Sequence, residues 1–88
     1  MVFVTQPSYR FIDLFAGIGG FHLAFHQQGA MCVFASEKDK YARQTYASNF
    51  KDISPALFES NLYNDDILSI TPENVPEHDI LCAGFPCQ

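Results

Sequence analysis

The sequence predicts an α/β fold built on a doubly wound parallel sheet, and three observations carry that expectation. Short apolar runs of strand length alternate with stretches of helical period, a glycine cluster directly follows the first run, and polar residues capable of chemistry fall just after the runs. The 88 residues suit one small domain or part of a larger one. An apolar share of 48% with 17% charged residues is that of a folding chain, far from the composition that stays disordered. Five Lys and Arg against ten Asp and Glu give a net charge of -5, so this segment supplies no phosphate-neutralising basic face. No repeat, low-complexity tract or Gly/Ser linker interrupts the chain.

Each element has its own justification. Tyr9 to Phe15 is an apolar run holding one acid, Asp13, and it stops at the turn Ala16 to Gly20; it reads as a buried parallel strand. Gly20 opens a helix of about two turns, in which Phe21, Ala24, Phe25 and Gln28 make the inward stripe and Gly29 the C-terminal stop. Met31 to Ala35 is a second strand, bounded by Gly29 and by Ser36-Glu37-Lys38-Asp39. Asp39 caps a second helix through about Asn49, with Ala42, Thr45, Tyr46 and Asn49 turned inward and Lys40 and Arg43 facing water. Lys51 to Asn64 is irregular with a helical turn, and a very short strand precedes Asp65. After a loop marked by Pro72 and Pro76, Asp79 to Ala83 is a further strand leading into Gly84-Phe85-Pro86-Cys87-Gln88.

In such a sheet ligands sit at the carboxyl ends of strands, where three groups fall: Phe15 to Gly20, Glu37, and Gly84 to Cys87. A glycine cluster between strand and helix lets the backbone turn tightly and approach a ligand, with free N–H groups at the helix start. Glu37 lies twenty residues after Gly17, the separation at which a carboxylate accepts hydrogen bonds from ribose hydroxyls. Together they point to a nucleoside cofactor. The sixth position of the nicotinamide fingerprint, counted from Gly17, is His22 rather than glycine, which disfavours an NAD-dependent dehydrogenase.

Other candidates carry less. His22 reads as a solvated residue of the first helical turn, and His26 likewise. Asp65 and Asp66 are either a solvated pair or carboxylates within reach of an adenine amino group at a strand end. Cys87 follows Pro86 in a turn that can present a thiol at a cleft, whereas Cys32 and Cys82 read as buried and inert. Three cysteines without paired spacing exclude a secreted disulfide framework, and His78, Cys82 and Cys87 lack the fourth ligand of a zinc site. With no basic, apolar leader and no run of eighteen apolar residues, the expected location is the cytoplasm.

Phe11-Ile12-Asp13-Leu14-Phe15-Ala16-Gly17-Ile18-Gly19-Gly20-Phe21 and Gly84-Phe85-Pro86-Cys87-Gln88 resemble the first and the catalytic motifs of the DNA (cytosine-5)-methyltransferases, in their order and near their usual separation. The similarity is closest to the bacterial restriction-modification type and runs from Tyr9 to Gln88, apart from Ser54 to Asn64. It implies a Rossmann-like S-adenosylmethionine-dependent methyltransferase fold, of which this chain is the N-terminal, cofactor-binding half. It further implies that Phe15, Ala16, Gly17, Gly19 and Gly20 hold S-adenosylmethionine, that Glu37 takes the ribose, and that Asp66 with Ile67 contacts the adenine. Cys87 becomes the nucleophile that attacks C6 of a flipped-out cytosine, and Pro86 shapes the turn against the cofactor.

Two departures from the family pattern stand out. Lys38 occupies the place of an aromatic residue that commonly stacks on the adenine, leaving only a methylene stem for that contact and lowering the expected cofactor affinity. Phe85 stands where tRNA-methylating relatives generally carry a second proline, which favours double-stranded DNA as substrate. The Glu-Asn-Val motif, the later arginine motif and the target-recognition domain are not in these residues, so the expected partners are a C-terminal part or complementing subunit and a cognate restriction endonuclease. On this reading the last strand has an open edge and the 88 residues alone show no turnover. The alternative is a non-catalytic nucleoside-binding module, a remnant or split subunit.

Overall fold

The computed structural model describes residues 9–84. In chain order these form β1 (Arg10–Leu14), α1 (Gly20–Gln27), β2 (Met31–Ser36), α2 (Lys40–Phe50), α3 (Pro55–Glu59), β3 (Tyr63–Asn64), two 3₁₀ turns (Ile67–Ser69 and Pro72–Asn74) and β4 (Ile80–Ala83). All strands pair in parallel, in the order β3-β2-β1-β4. The chain therefore steps outward from β1 to β3 on one side and returns to place β4 on the other. This reversal puts the carboxyl ends of β1 and β4 side by side, the position at which open parallel sheets form a crevice.

Local chemistry sets the boundaries. β1 ends because Phe15 takes a positive φ of 53° and the Ala16 N–H turns back to the Ser36 carbonyl at 2.9 Å. α1 stops where Gly29, at φ 87°, donates its N–H to the His26 carbonyl. Asp39 caps α2 as expected, its Oδ2 accepting the Ala42 N–H at 2.8 Å, and the helix runs one residue past Asn49. In the stretch read as irregular, Pro55 starts α3 at a position that needs no N–H, and the short strand before Asp65 is β3.

Register assigns the faces. Phe11 pairs with Cys32 and Ile80, and Asp13 with Ala35 and Cys82, so these side chains share one face. Phe25 of α1, Tyr46 and Phe50 of α2 and Leu57 of α3 pack there as the main core. Ile12 and Phe34 are buried on the opposite face, and a register shift between Phe11 and Ile12 leaves Val33 as the extra residue of β2. No helix among the described residues is long and apolar enough to cross a membrane.

Four expectations about the helices are corrected. The inward residues of α1 are His22 and Phe25; Phe21, Ala24 and Gln28 are exposed. His22 is not solvated but wholly buried, because its ring stacks on Phe50 at 3.9 Å and meets Phe11 edge-on. In α2, Tyr46 and Phe50 are buried while Thr45 and Asn49 are exposed, since the aromatic rings lie one step round the helix from the stripe that counts small residues. Arg43 is half-buried and donates to the carbonyls of Glu37 and Lys38 at 3.2 and 2.7 Å, so it does not simply face water.

This packing predicts the ranking of two leucine truncations. Leu57→Ala, at a site 1% exposed, should lower the unfolding free energy by about 2–5 kcal/mol. Leu68→Ala, at a site 91% exposed, should change it by less than about 0.5 kcal/mol. Denaturant titration of the two variants checks the order.

Candidate functional site

The glycine loop is shaped by three left-handed residues, Phe15, Gly17 and Gly19 at φ 53°, 59° and 100°. Gly19 also lies against the Phe50 ring, where an added Cβ would overlap aromatic carbons; around Gly17 and Gly20 the same addition meets open space. The loop is thus supported from behind and open in front. Gly19 provides no side-chain cap for α1, and the first turn holds no acidic residue, which leaves the opening N–H groups of the helix for a ligand.

Glu37 joins this loop directly. The Gly17 N–H donates to its Oε1 at 2.7 Å and the Asp39 N–H to its Oε2 at 2.8 Å. Both bonds fix the carboxylate while leaving each oxygen capacity for a further donor. The Glu37 N–H in turn donates to the Asn64 carbonyl at 3.0 Å, so the ends of β2 and β3 are adjacent and bring Asp65 and Asp66 to the same edge. Asp66 caps the following 3₁₀ turn, its Oδ1 accepting the Leu68 N–H at 3.0 Å, and Ile67 begins that turn half-buried. Lys38 is exposed next to Glu37.

On the other flank the Gly84 N–H donates to the Leu14 carbonyl at 3.3 Å, and Gly84 faces the Phe15 carbonyl and the Phe21 ring. The structure therefore gathers Phe15 to Gly20, Glu37, Lys38, Asp66 with Ile67, and Gly84 along one edge of the sheet. Pro86 and Cys87 lie outside the described residues. Cys32 and Cys82 are buried as expected, and burial pushes both thiols up, Cys32 to about 12. Among the described residues no three His, Cys, Asp or Glu side chains gather to hold a metal.

Behind the loop is a buried polar cluster that residue patterns did not reveal. Tyr46 Oη lies 2.6 Å from His22 Nδ1 and 3.3 Å from Asp13 Oδ2, while His22 Nε2 lies 3.1 Å from Ser54 Oγ. Asp13, His22 and Tyr46 are each 0% exposed. Burial pushes the Asp13 carboxyl up to about 7, against the pull of the Tyr46 hydrogen bond, and pushes the His22 imidazole down to about 4. The only advance signal was the lone acid within an apolar strand.

A cavity of about 360 Å³ lies elsewhere, at the amino end of β2, lined by His26, Met31, Cys32, Ile53 and Leu57 among others. Its lining is mainly apolar and includes none of the residues gathered at the carboxyl edge. Chemistry therefore favours the edge over the cavity.

Fold and edge together define a class: a parallel α/β domain whose candidate site is a glycine loop locked to an acid at the end of the neighbouring strand. A family model for C-5 cytosine-specific DNA methylases matches residues 9–88, and the chain belongs to that family. It is 49% identical over 79 residues to Type II methyltransferase M.HhaI of Haemophilus parahaemolyticus, covering 90% of this chain and 21% of that protein. Against Type II methyltransferase M.NgoBI of Neisseria gonorrhoeae the identity is 51% over 80 residues, 91% of this chain and 22% of the relative. Type II methyltransferase M.HpaII of Haemophilus parainfluenzae is 49% identical over 84 residues, 94% of this chain and 21% of the relative. The chain spans about a fifth of the length of the curated relatives it matches.

Two adjacent glycines should respond oppositely to the same change. Gly19→Ala combines a positive φ with overlap on Phe50 and should destabilise by about 2 kcal/mol or more. Gly20→Ala, helical and facing open space, should be neutral or stabilising by up to about 1 kcal/mol. Thermal unfolding of the two variants checks the signs.

Proposed function

We propose that this chain is the N-terminal, cofactor-binding part of the catalytic domain of a DNA (cytosine-5)-methyltransferase of a restriction-modification system. The observation that carries the reading is the lock between the glycine loop and Glu37, within a chain belonging to the C-5 cytosine methylase family. The sheet order around that lock supports a Rossmann-like S-adenosylmethionine-dependent fold, of which residues 1–88 form the first half.

The donor set fits S-adenosylmethionine. Open space in front of Gly17 and Gly20 admits the close approach of a ligand, and the uncapped N–H groups of α1 suit its carboxylate. Glu37, already oriented by two backbone donors, accepts from ribose hydroxyls, and the edge formed by Asp66 and Ile67 receives the adenine beside the Lys38 stem. Phe15, Ala16 and Gly19 shape the loop, and Pro86 is assigned to the cofactor beside the nucleophile Cys87. The bound cofactor supplies a methyl group on a sulfonium.

Cys87, as thiolate, forms the Sγ–C6 bond to a cytosine turned out of the duplex, which makes C5 electron-rich and able to accept the methyl. Removal of the C5 proton and cleavage of the Sγ–C6 bond restore the ring and the thiolate. The acidic balance of this segment implies that a C-terminal part or complementing subunit supplies the grip on double-stranded DNA and the sequence readout. A cytoplasmic location and a cognate endonuclease acting on the same sites accompany this reading.

The complete protein should methylate duplex DNA, and Cys87→Ala should abolish methylation while leaving cofactor binding in place. Glu37→Gln should weaken S-adenosylmethionine binding by about 10-fold or more, the worth of hydrogen bonds to a charged group. Labelled-methyl transfer and calorimetry check the two effects. Cofactor binding without methylation, and without trapping on 5-fluorocytosine DNA, would favour the non-catalytic module.

A further inference from the structure

The cluster behind the glycine loop contains one phenolic proton and two groups competing for it. Tyr46 Oη is 2.6 Å from His22 Nδ1 but 3.3 Å from Asp13 Oδ2. The short, strong contact is the one to the imidazole, and the contact to Asp13 is long for a carboxyl in either protonation state, so the state of Asp13 is decided by its other oxygen. Asp13 Oδ1 has no partner and is buried. Leaving one oxygen of an ionised carboxylate bare in the core is costly, whereas the carbonyl oxygen of a neutral acid is much cheaper to bury.

We propose that Asp13 is a positioning residue held as a neutral carboxylic acid, and that its proton sets the direction of a hydrogen-bond brace, Asp13 to Tyr46 to His22 to Ser54, behind the glycine loop. In the protonated arrangement Asp13 donates to Tyr46 Oη, Tyr46 donates to His22 Nδ1, and His22 donates from Nε2 to Ser54 Oγ. Every group is neutral, and Asp13, Tyr46 and His22 each donate once. Loss of the Asp13 proton turns the Tyr46 hydroxyl toward the carboxylate, and His22 must change tautomer to donate from Nδ1. That change falls on the ring that stacks on Phe50, and Phe50 is the surface against which Gly19 is packed. The brace therefore couples a proton in the sheet to the shape of the loop.

The groups facing Asp13 come from every neighbouring element: Tyr46 from α2 with His22 of α1 behind it, Cys32 from β2 and Glu37 just beyond it, Tyr63 from β3, and Cys82 from β4. None is a cation that would hold the carboxyl ionised. Desolvation agrees with the geometry, placing the carboxyl at about 7 and keeping the imidazole neutral down to about 4. By the sign of linkage, a carboxyl raised in the folded state contributes stability that is present below about 4 and lost as pH rises through about 7.

The test uses the complete protein, with S-adenosylhomocysteine as probe; its binding arm rests on the proposed cofactor site and its spectroscopic arm does not. Imidazole nitrogen and carboxyl carbon shifts followed from pH 5 to 9 should show His22 as the Nε2–H tautomer at pH 5–6, passing toward Nδ1–H as Asp13 ionises near pH 7. The probe's Kd should rise about 10-fold across that titration, and Asp13→Asn, whose amide donates at every pH, should flatten the dependence. Titration of Asp13 in the ordinary carboxylate range, or an Nδ1–H imidazole at pH 6, would overturn the proposal. So would a Kd in the unsubstituted protein that does not change with pH. Failure of the probe to bind at any pH would sink the cofactor reading and the brace's role in it, while the His22 tautomer still decides the state of Asp13. If Asp13→Asn does not fold, the nitrogen shifts of the unsubstituted protein decide alone.

Discussion

Parallel pairing is the constraint from which the rest of this structure follows. Four strands running the same way place every carboxyl end on one edge, and crossover helices must then cover the faces. With β1 between β2 and β4, the loop leaving β1 is flanked by the residues that follow both neighbours. Glu37 can therefore accept the Gly17 N–H although twenty residues separate them, and Gly84 can bond to Leu14 across 70 residues of chain. The site comes from topology first and from side chains second.

Much of this was legible in the sequence because the signals were local. Short apolar runs, the glycine cluster, Gly29 as a stop and Asp39 as a cap each act over a few residues, and all four appear where expected. The edge shared by the loop and Glu37 was legible too, since the strand context and the twenty-residue spacing imply it, whereas Asp66 was singled out only by the family resemblance. What was not legible depends on tertiary packing. His22 counts as polar in a periodicity, yet here it behaves as an aromatic core residue whose two nitrogens are met by Tyr46 and Ser54. Once His22 faces inward, Phe21 must face out, and the predicted stripe of α1 rotates. Arg43 escaped in the same way, because its targets are backbone carbonyls of the turn after β2 and not an acidic side chain.

The buried cluster and the open edge are two sides of one loop. Behind it, aromatic packing leaves no room for a Cβ at Gly19; in front of it, nothing obstructs Gly17 or Gly20. A loop rigid on one side and exposed on the other presents backbone N–H groups without reorganisation, which is what tight recognition of an anionic or hydroxylated ligand requires. The negative charge of the segment suits binding a sulfonium nucleoside and is unsuited to binding DNA. On the proposed function the two tasks are divided between this segment and the rest of the protein.

The central claim is that the nucleoside binds at the carboxyl edge of the sheet, on Glu37 and the glycine loop. A crystal structure of the complete protein with S-adenosylhomocysteine tests it most directly. The account predicts ribose hydroxyls on the Glu37 carboxylate and the amino-acid end over the loop from Phe15 to Gly20. A nucleoside found instead in the cavity beside His26 and Met31, or away from Glu37, would contradict it.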